Sequence, residues 1–292
     1  MKRLSSILLG LALVFGAAGR ATAQENSGGM HAPPPVLTIV REYLKPGKSG
    51  SPHARTESMF VKAMGAAKSP SYYLGMDSLT GKSRSLFFTG YESFAAWEKD
   101  LQSQQKNPTL SAALDRASVA DGDLLESYEE SVWVYRADQS YNQTGALPGI
   151  RYFELESFTV KPGHEEDWNA AVKLVKDAYA KGLPDAHWAM YQLAAGGATP
   201  TFLVITPRKS LSEIDTAFAE GGKFMSALGP DGMKKLSELS AASIAESHTN
   251  FLAINPAISY MDEALAKADP DFWGHKPMPA AAPKKEKAEP KP

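Results

Sequence analysis

The chain has no cysteine among its 292 residues. That absence excludes a disulfide framework, a thiolate zinc or iron–sulfur centre, a cysteine nucleophile and cysteine-anchored lipidation, each of which needs a sulfur the chain lacks. An excess of one charge is also missing. With 31 Lys and Arg against 33 Asp and Glu, the formal net charge is −2, so no basic face for nucleic acid is expected. There is no Gly-rich phosphate loop, no G-x-S-x-G elbow, and no pair of histidines at helix or strand spacing. His164-Glu165 opens like a zinc-protease helix, but the second histidine fails because position 168 is Trp. No metal site is expected.

Long apolar runs are confined to the start. Lys2 and Arg3, the apolar stretch Ile7 to Ala18, and Ala21-Thr22-Ala23 form the pattern of a secretory signal. The stretch is well short of the roughly 20 apolar residues that span a bilayer. Residues 1–23 are therefore expected to be removed, leaving a periplasmic or secreted chain with no membrane span. Without Lys2, Arg3 and Arg20, 28 basic side chains face 33 acidic ones, a formal charge of −5. Residues 24–35, with Gly28-Gly29 and Pro33-Pro34-Pro35, read as a flexible leader. Residues 263–292 read as a Pro/Lys/Ala-rich extension, mostly disordered, with Trp273 pinning its start and a solubilising, lysine-rich end. Asn142-Gln143-Thr144 is a weak glycosylation match.

Between these ends the sequence repeats one plan. A β-type run at 36–44 leads into Lys45-Pro46-Gly47, and another at 150–160 leads into Lys161-Pro162-Gly163, 116 residues later. A helix follows each. Ser51-Pro52 starts the first, with Met59, Phe60 and Ala63 as its apolar stripe, and Trp168, Val172, Val175 and Tyr179 mark the second. Strand pairs follow at 71–76 and 83–89, and at 186–193 and 201–206. Second helices begin at Ser93 and Ser210, further helix covers 108–120 and 217–245 with a break at Gly229-Pro230, and last strands cover 131–138 and 249–255. The plan predicts an α+β protein of two ferredoxin-like (β-α-β-β-α-β) repeats, 36–141 and 150–262, joined by a linker at 142–149. Each half leaves one sheet face uncovered. The antiparallel sheets are expected to cover each other as an intrachain α/β barrel, a monomer with an internal pseudo-dimer.

The strand–Lys-Pro-Gly–helix junction, clearest as Phe158-Thr159-Val160-Lys161-Pro162-Gly163-His164-Glu165 with Trp168 downstream, resembles the dimeric α/β-barrel superfamily, particularly its NIPSNAP-like and antibiotic-biosynthesis-monooxygenase-like branches. The resemblance covers roughly residues 36–260 and is stronger in the second half, because the first lengthens the junction to Lys45-Pro46-Gly47-Lys48-Ser49-Gly50. It implies the barrel fold and a range of functions: cofactor-independent oxygenation of aromatic substrates, haem binding or degradation, or no reaction. The Asn, Trp and His of the haem-degrading branch find no matching positions here. No cofactor is predicted, with haem as the one the resemblance admits.

Alternation places candidate site residues. On 186–193, Trp188 and Met190 suit the helix-covered side, which sends His187 and Tyr191 toward the lumen. On 150–160, Tyr152, Glu154 and Glu156 share a face opposite Phe153 and Leu155; with the apolar pair under the helices, both glutamates point inward, as candidates for proton transfer or ligand orientation. His187, Tyr191, Glu154 and Glu156 are the catalytic candidates. Tyr73, Arg136, Tyr152 and Asn255 are expected to bind ligand, with Arg136 reaching a glutamate across the lumen and Trp133 and Tyr135 on the opposite face. Trp97, Trp168 and Trp188 are expected in the core. His53 is expected on a solvent-facing helix and His248 at a strand edge, while His31 and His275 fall in the end segments. The expected function is small-molecule binding in the lumen by an exported protein. The alternatives are oxygenase or haem chemistry, and a non-catalytic envelope interaction.

Overall fold

A computed structural model describes residues 32–143 and 147–274. The signal-like segment, His31, Thr144, His275 and the lysine-rich end lie outside the described residues. The first half contains β1 (Val36–Leu44), α1 (Ser51–Ala66), β2 (Leu74–Ser78), β3 (Arg84–Tyr91), α2 (Phe94–Gln105), α3 (Pro108–Gly122) and β4 (Leu125–Tyr135). The second contains β5 (Tyr152–Val160), α4 (Glu165–Gly182), β6 (Ala189–Ala195), β7 (Thr201–Arg208), α5 (Ser212–Ser243) and β8 (Ile244–Ile254). A 3-10 turn (Pro256–Ile258), α6 (Glu263–Ala268) and α7 (Pro270–Trp273) follow.

The eight strands close into one antiparallel barrel in the order β1-β3-β2-β8-β5-β7-β6-β4. Each half thus contributes four strands in the same internal order, and two seams join them: Met76 opposite Ile254, and Trp133 opposite Leu193. Closure pairs every sheet edge and so removes the exposed backbone donors of an open sheet. The lumen is filled from both halves by Leu37, Ile39, Phe88, Trp133, Phe153 and Leu155 among others. A second apolar layer, with Phe158, Trp168, Val172 and Phe202, lies between the second half's strands and α4 and α5. The first half has only a small equivalent under α1 and α3, Ala63, Met64 and Leu110.

Local chemistry explains the element starts. Asn107 and Ser93 cap α3 and α2 through side-chain oxygens that accept from Leu110 N and Ala96 N. Glu165, Glu166 and Asp167 sit in the first turn of α4, where unpaired amides favour negative charge. In α5 the helical path is interrupted at Gly229, whose φ of 67° ends one segment before Pro230 opens the next. Strands β4 and β8 begin earlier than their apolar runs, because their first residues, such as Glu126–Glu130 and Glu246–Thr249, are exposed and held in the ladder by backbone pairing.

Candidate functional site

The lumen holds an apolar cavity of about 80 Å³ between Leu37, Phe88, Phe153, Ala189, Tyr191 and Ile205. Its mouth is covered by the leader. Pro34 lies against Gly90, where a Cβ would meet the proline ring at 2.7 Å, and the buried Tyr191 hydroxyl donates to Pro34 O at 3.1 Å. Tyr135 N donates to Pro35 O at 3.0 Å, and its ring stands 5.5 Å from that of Tyr191. Phe272 and Trp273 pack against the same lumen cluster, so both ends of the described chain help close it. The Arg151–Asp269 ion pair, at 2.7 Å, anchors that C-terminal turn. Elsewhere on the lumen side, Arg41 donates to Ser131 Oγ at 2.7 Å and its guanidinium lies 5.9 Å from the Trp133 ring centre.

Tyr191 is in the lumen, with Trp188 and Met190 beneath the helices, as alternation requires. The glutamates are not. Phe153 and Leu155 point into the lumen, and Glu154 and Glu156 lie under α4 and α5 on the face of Phe158 and Val160. The strand is buried on both faces, so alternation sorts its residues into two sets without saying which is inside. Glu154 is held by Arg208, whose Nε donates at 3.2 Å and whose Nη2 also contacts the carboxylate; Arg208 is itself fully buried. Glu156 faces a void of about 20 Å³ beside Trp168 and Tyr179 and accepts from Thr249 Oγ1 at 3.4 Å. Burial, and then the neighbouring Glu154, push its carboxyl well above the ordinary range.

The other candidates disperse. Tyr152 shares Glu154's face. His187 is half-buried before β6 with backbone of Asp185 and Pro207 around its ring, and burial lowers its pKa. Arg136 pairs with Asp138 at 2.8 Å and donates to Gln192, not to a glutamate across the lumen, while Trp133 occupies the lumen in its place. Tyr73 packs under α1 against Phe87 and Tyr260. Asn255 caps the 3-10 turn and donates to Asp77 Oδ2 at 2.7 Å. These residues do not form one site.

One grouping was missed. His53 is not solvent-facing: α1 buries His53, Glu57, Ala63 and Met64, and Met59 of the expected stripe is exposed. His53 Nε2 lies 3.0 Å from Glu42 Oε2, 3.5 Å from Asp121 Oδ1 and 3.8 Å from Glu57 Oε1. Its Nδ1 is 3.3 Å from Ser85 Oγ, which donates to Asp77 Oδ1 at 2.6 Å. Burial raises the pKa of both Glu42 and Glu57, the former opposed by its bond to His53. The signal was present in the sequence as the i, i+4 pair His53/Glu57 on the face shared with Ala63 and Met64.

No protein-family model matches the sequence, and no curated protein matches it. Among solved structures, a candidate monooxygenase from Fusobacterium nucleatum superposes with a TM-score of 0.51 at 11% identity, over 76% of this chain and 93% of that one. A candidate monooxygenase from Lactobacillus acidophilus gives 0.46 at 10% identity over 75% and 93%. A chlorite dismutase mutant from Candidatus Nitrospira defluvii gives 0.46 at 9% identity over 82% and 98%. The first likeness establishes the fold, an α+β barrel of ferredoxin-like halves. No helix among the described residues is long and apolar enough to cross a membrane.

Proposed function

We propose that this chain is an exported barrel protein that holds a compact, largely apolar small molecule in its lumen. The observation behind this reading is the cavity beneath Pro34, apolar on most sides and carrying one buried hydroxyl, that of Tyr191, as its polar handle. With the leader seated, the space of about 80 Å³ is smaller than the roughly 150 Å³ known to hold benzene. A ligand therefore enters by displacing Pro33 and Pro34, which frees the Tyr191 hydroxyl from Pro34 O. Export rests on the N-terminal pattern of residues 1–23.

Oxygenation without a cofactor is the second reading, supported by fold alone. Against it, the described residues around the cavity supply a hydroxyl and the Gln143 amide but neither carboxylate nor imidazole to take a proton. Haem is admitted by the fold, but the described histidines offer it no ready ligand: His53 is enclosed by carboxylates, His164 and His248 bond to Asp167 and Glu246 at the surface, and His187 has the backbone of Asp185 and Pro207 around its ring.

Native mass spectrometry of the purified protein is expected to show a retained small molecule, and an apolar fluorescent probe is expected to compete with it. Ala189→Leu fills the cavity and abolishes both signals, while Tyr191→Phe weakens retention by about 0.5–1.5 kcal/mol, one hydrogen bond. Neither retained mass nor probe binding in the wild type, or unchanged binding in Ala189→Leu, would overturn the reading.

A further inference from the structure

We propose that Glu42, His53, Glu57 and Asp121 form a closed site for one divalent first-row transition-metal ion, independent of the lumen. One donor atom from each lies within 4.8 Å of all the others, and all four residues are buried. An acidic cluster alone would not point to an ion; three further observations do.

The first is an oxygen with no partner. Glu57 is 3% exposed, and its Oε1 receives no hydrogen bond although it faces His53 Nε2. Asp121, 2% exposed, accepts from Thr56 at Oδ1 and likewise has no hydrogen bond to Oδ2. Buried carboxylate oxygens are rarely left unsatisfied, and an ion satisfies several at once.

The second is the orientation of the imidazole. Ser85 gives its hydroxyl proton to Asp77, so its oxygen is left to accept from His53 Nδ1. Nδ1 thus carries a proton, and Nε2 points at three carboxylates, where either its own proton or a metal ion must stand. A histidine that donates its other ring N–H to a supporting group is the usual form of a metal ligand. Asn255, from the second half, steadies Asp77 in turn.

The third is charge. With all three carboxylates ionised and the imidazole neutral, as metal ligation requires, the donors carry a formal −3, and a divalent ion reduces this to −1. One nitrogen and three oxygens suit zinc or manganese better than copper(I), which prefers sulfur, or calcium, which prefers oxygen alone. Four buried protein donors make a structural rather than an open catalytic site.

The test uses the full chain stripped with chelator and titrated calorimetrically with Zn²⁺ and, separately, Mn²⁺. At least one ion is expected to bind with one equivalent per chain and to raise the thermal midpoint. His53→Gln and Asp121→Asn each weaken that binding at least tenfold, whereas His248→Ala, on the exposed second-half strand, leaves it unchanged. Glu57→Gln serves if either variant fails to give the wild-type circular dichroism spectrum. Absence of binding by both ions, or full-strength binding in the folded cluster variants, would overturn the proposal. Loss of lumen ligand in Ala189→Leu with the ion still bound would separate this site from the lumen reading.

Discussion

The two halves build the same strands and helices, yet the layer between sheet and helices is apolar in one and ionisable in the other. Counting 115 to 117 residues on, Glu42 corresponds to Phe158, His53 to Trp168, Glu57 to Val172 and Ser85 to Phe202. In the second half these positions interlock: Trp168 stacks on Phe202 with ring centres 4.9 Å apart and meets Phe158 at 5.3 Å. In the first half the same positions hold two glutamates, a histidine and a serine. The fold therefore does not require polar groups there, and burying them opposes stability unless something compensates. The second half has its own buried pair, Glu154 and Arg208, but in that pair opposite charges meet one to one. Glu156 lies beside that pair, so two carboxylates face one guanidinium there, whereas around His53 three carboxylates face one imidazole.

The largest effect belongs to the apolar layer. Trp168→Ala removes a fully buried ring and is expected to cost about 3–5 kcal/mol in urea unfolding, by the same amount with and without added metal. A metal-dependent loss would break the comparison, since it would couple the second half to the ion.

A smaller effect of opposite sign is expected in the first half. Glu57→Met replaces a buried carboxylate by an apolar group of similar size, as its counterpart position already has. In chelator it stabilises the chain by about 1–2 kcal/mol, and the added ion no longer raises its midpoint. Destabilisation in chelator would show that the carboxylates support the fold without an ion.

The pH dependence sharpens the contrast further. Glu156 lies under α4 with its pKa held above the ordinary 4.5 by burial and by Glu154. The folded chain then binds more protons than the unfolded one above pH 4.5, so stability falls as pH rises from there through the raised value and levels off beyond it. The slope from one such group is at most about 1.4 kcal/mol per pH unit. Glu156→Gln makes the fall shallower in urea titrations run at successive pH values; an unchanged slope would place the proton elsewhere.

Much of the architecture was legible from spacing. The Lys-Pro-Gly junctions, Ser93 and the Gly229-Pro230 break all mark real boundaries, since turns and caps are set by neighbouring residues. The exposed first halves of β4 and β8 were not legible, because backbone pairing holds them and alternation of apolar residues does not. The sides of β5 were not legible either. Phe153, Leu155, Phe158 and Val160 are all buried, two on each face, and nothing local says which face the helices cover. The cluster at His53 was hidden for a third reason. Its members come from β1, α1 and α3, so beyond the i, i+4 pair His53/Glu57 its acids meet only through tertiary packing.

Hydrogen exchange on the intact chain, compared in chelator and with bound ion, separates the two halves in one experiment. Amides of α1 and α3, which carry His53, Glu57 and Asp121, are expected to slow when the ion binds, while those of α4, resting on Trp168 and Val172, exchange at the same rate in both states. Equal slowing in α4, or no change in α1 and α3 at an ion concentration that saturates the calorimetric site, would contradict an ion centre confined to the first half.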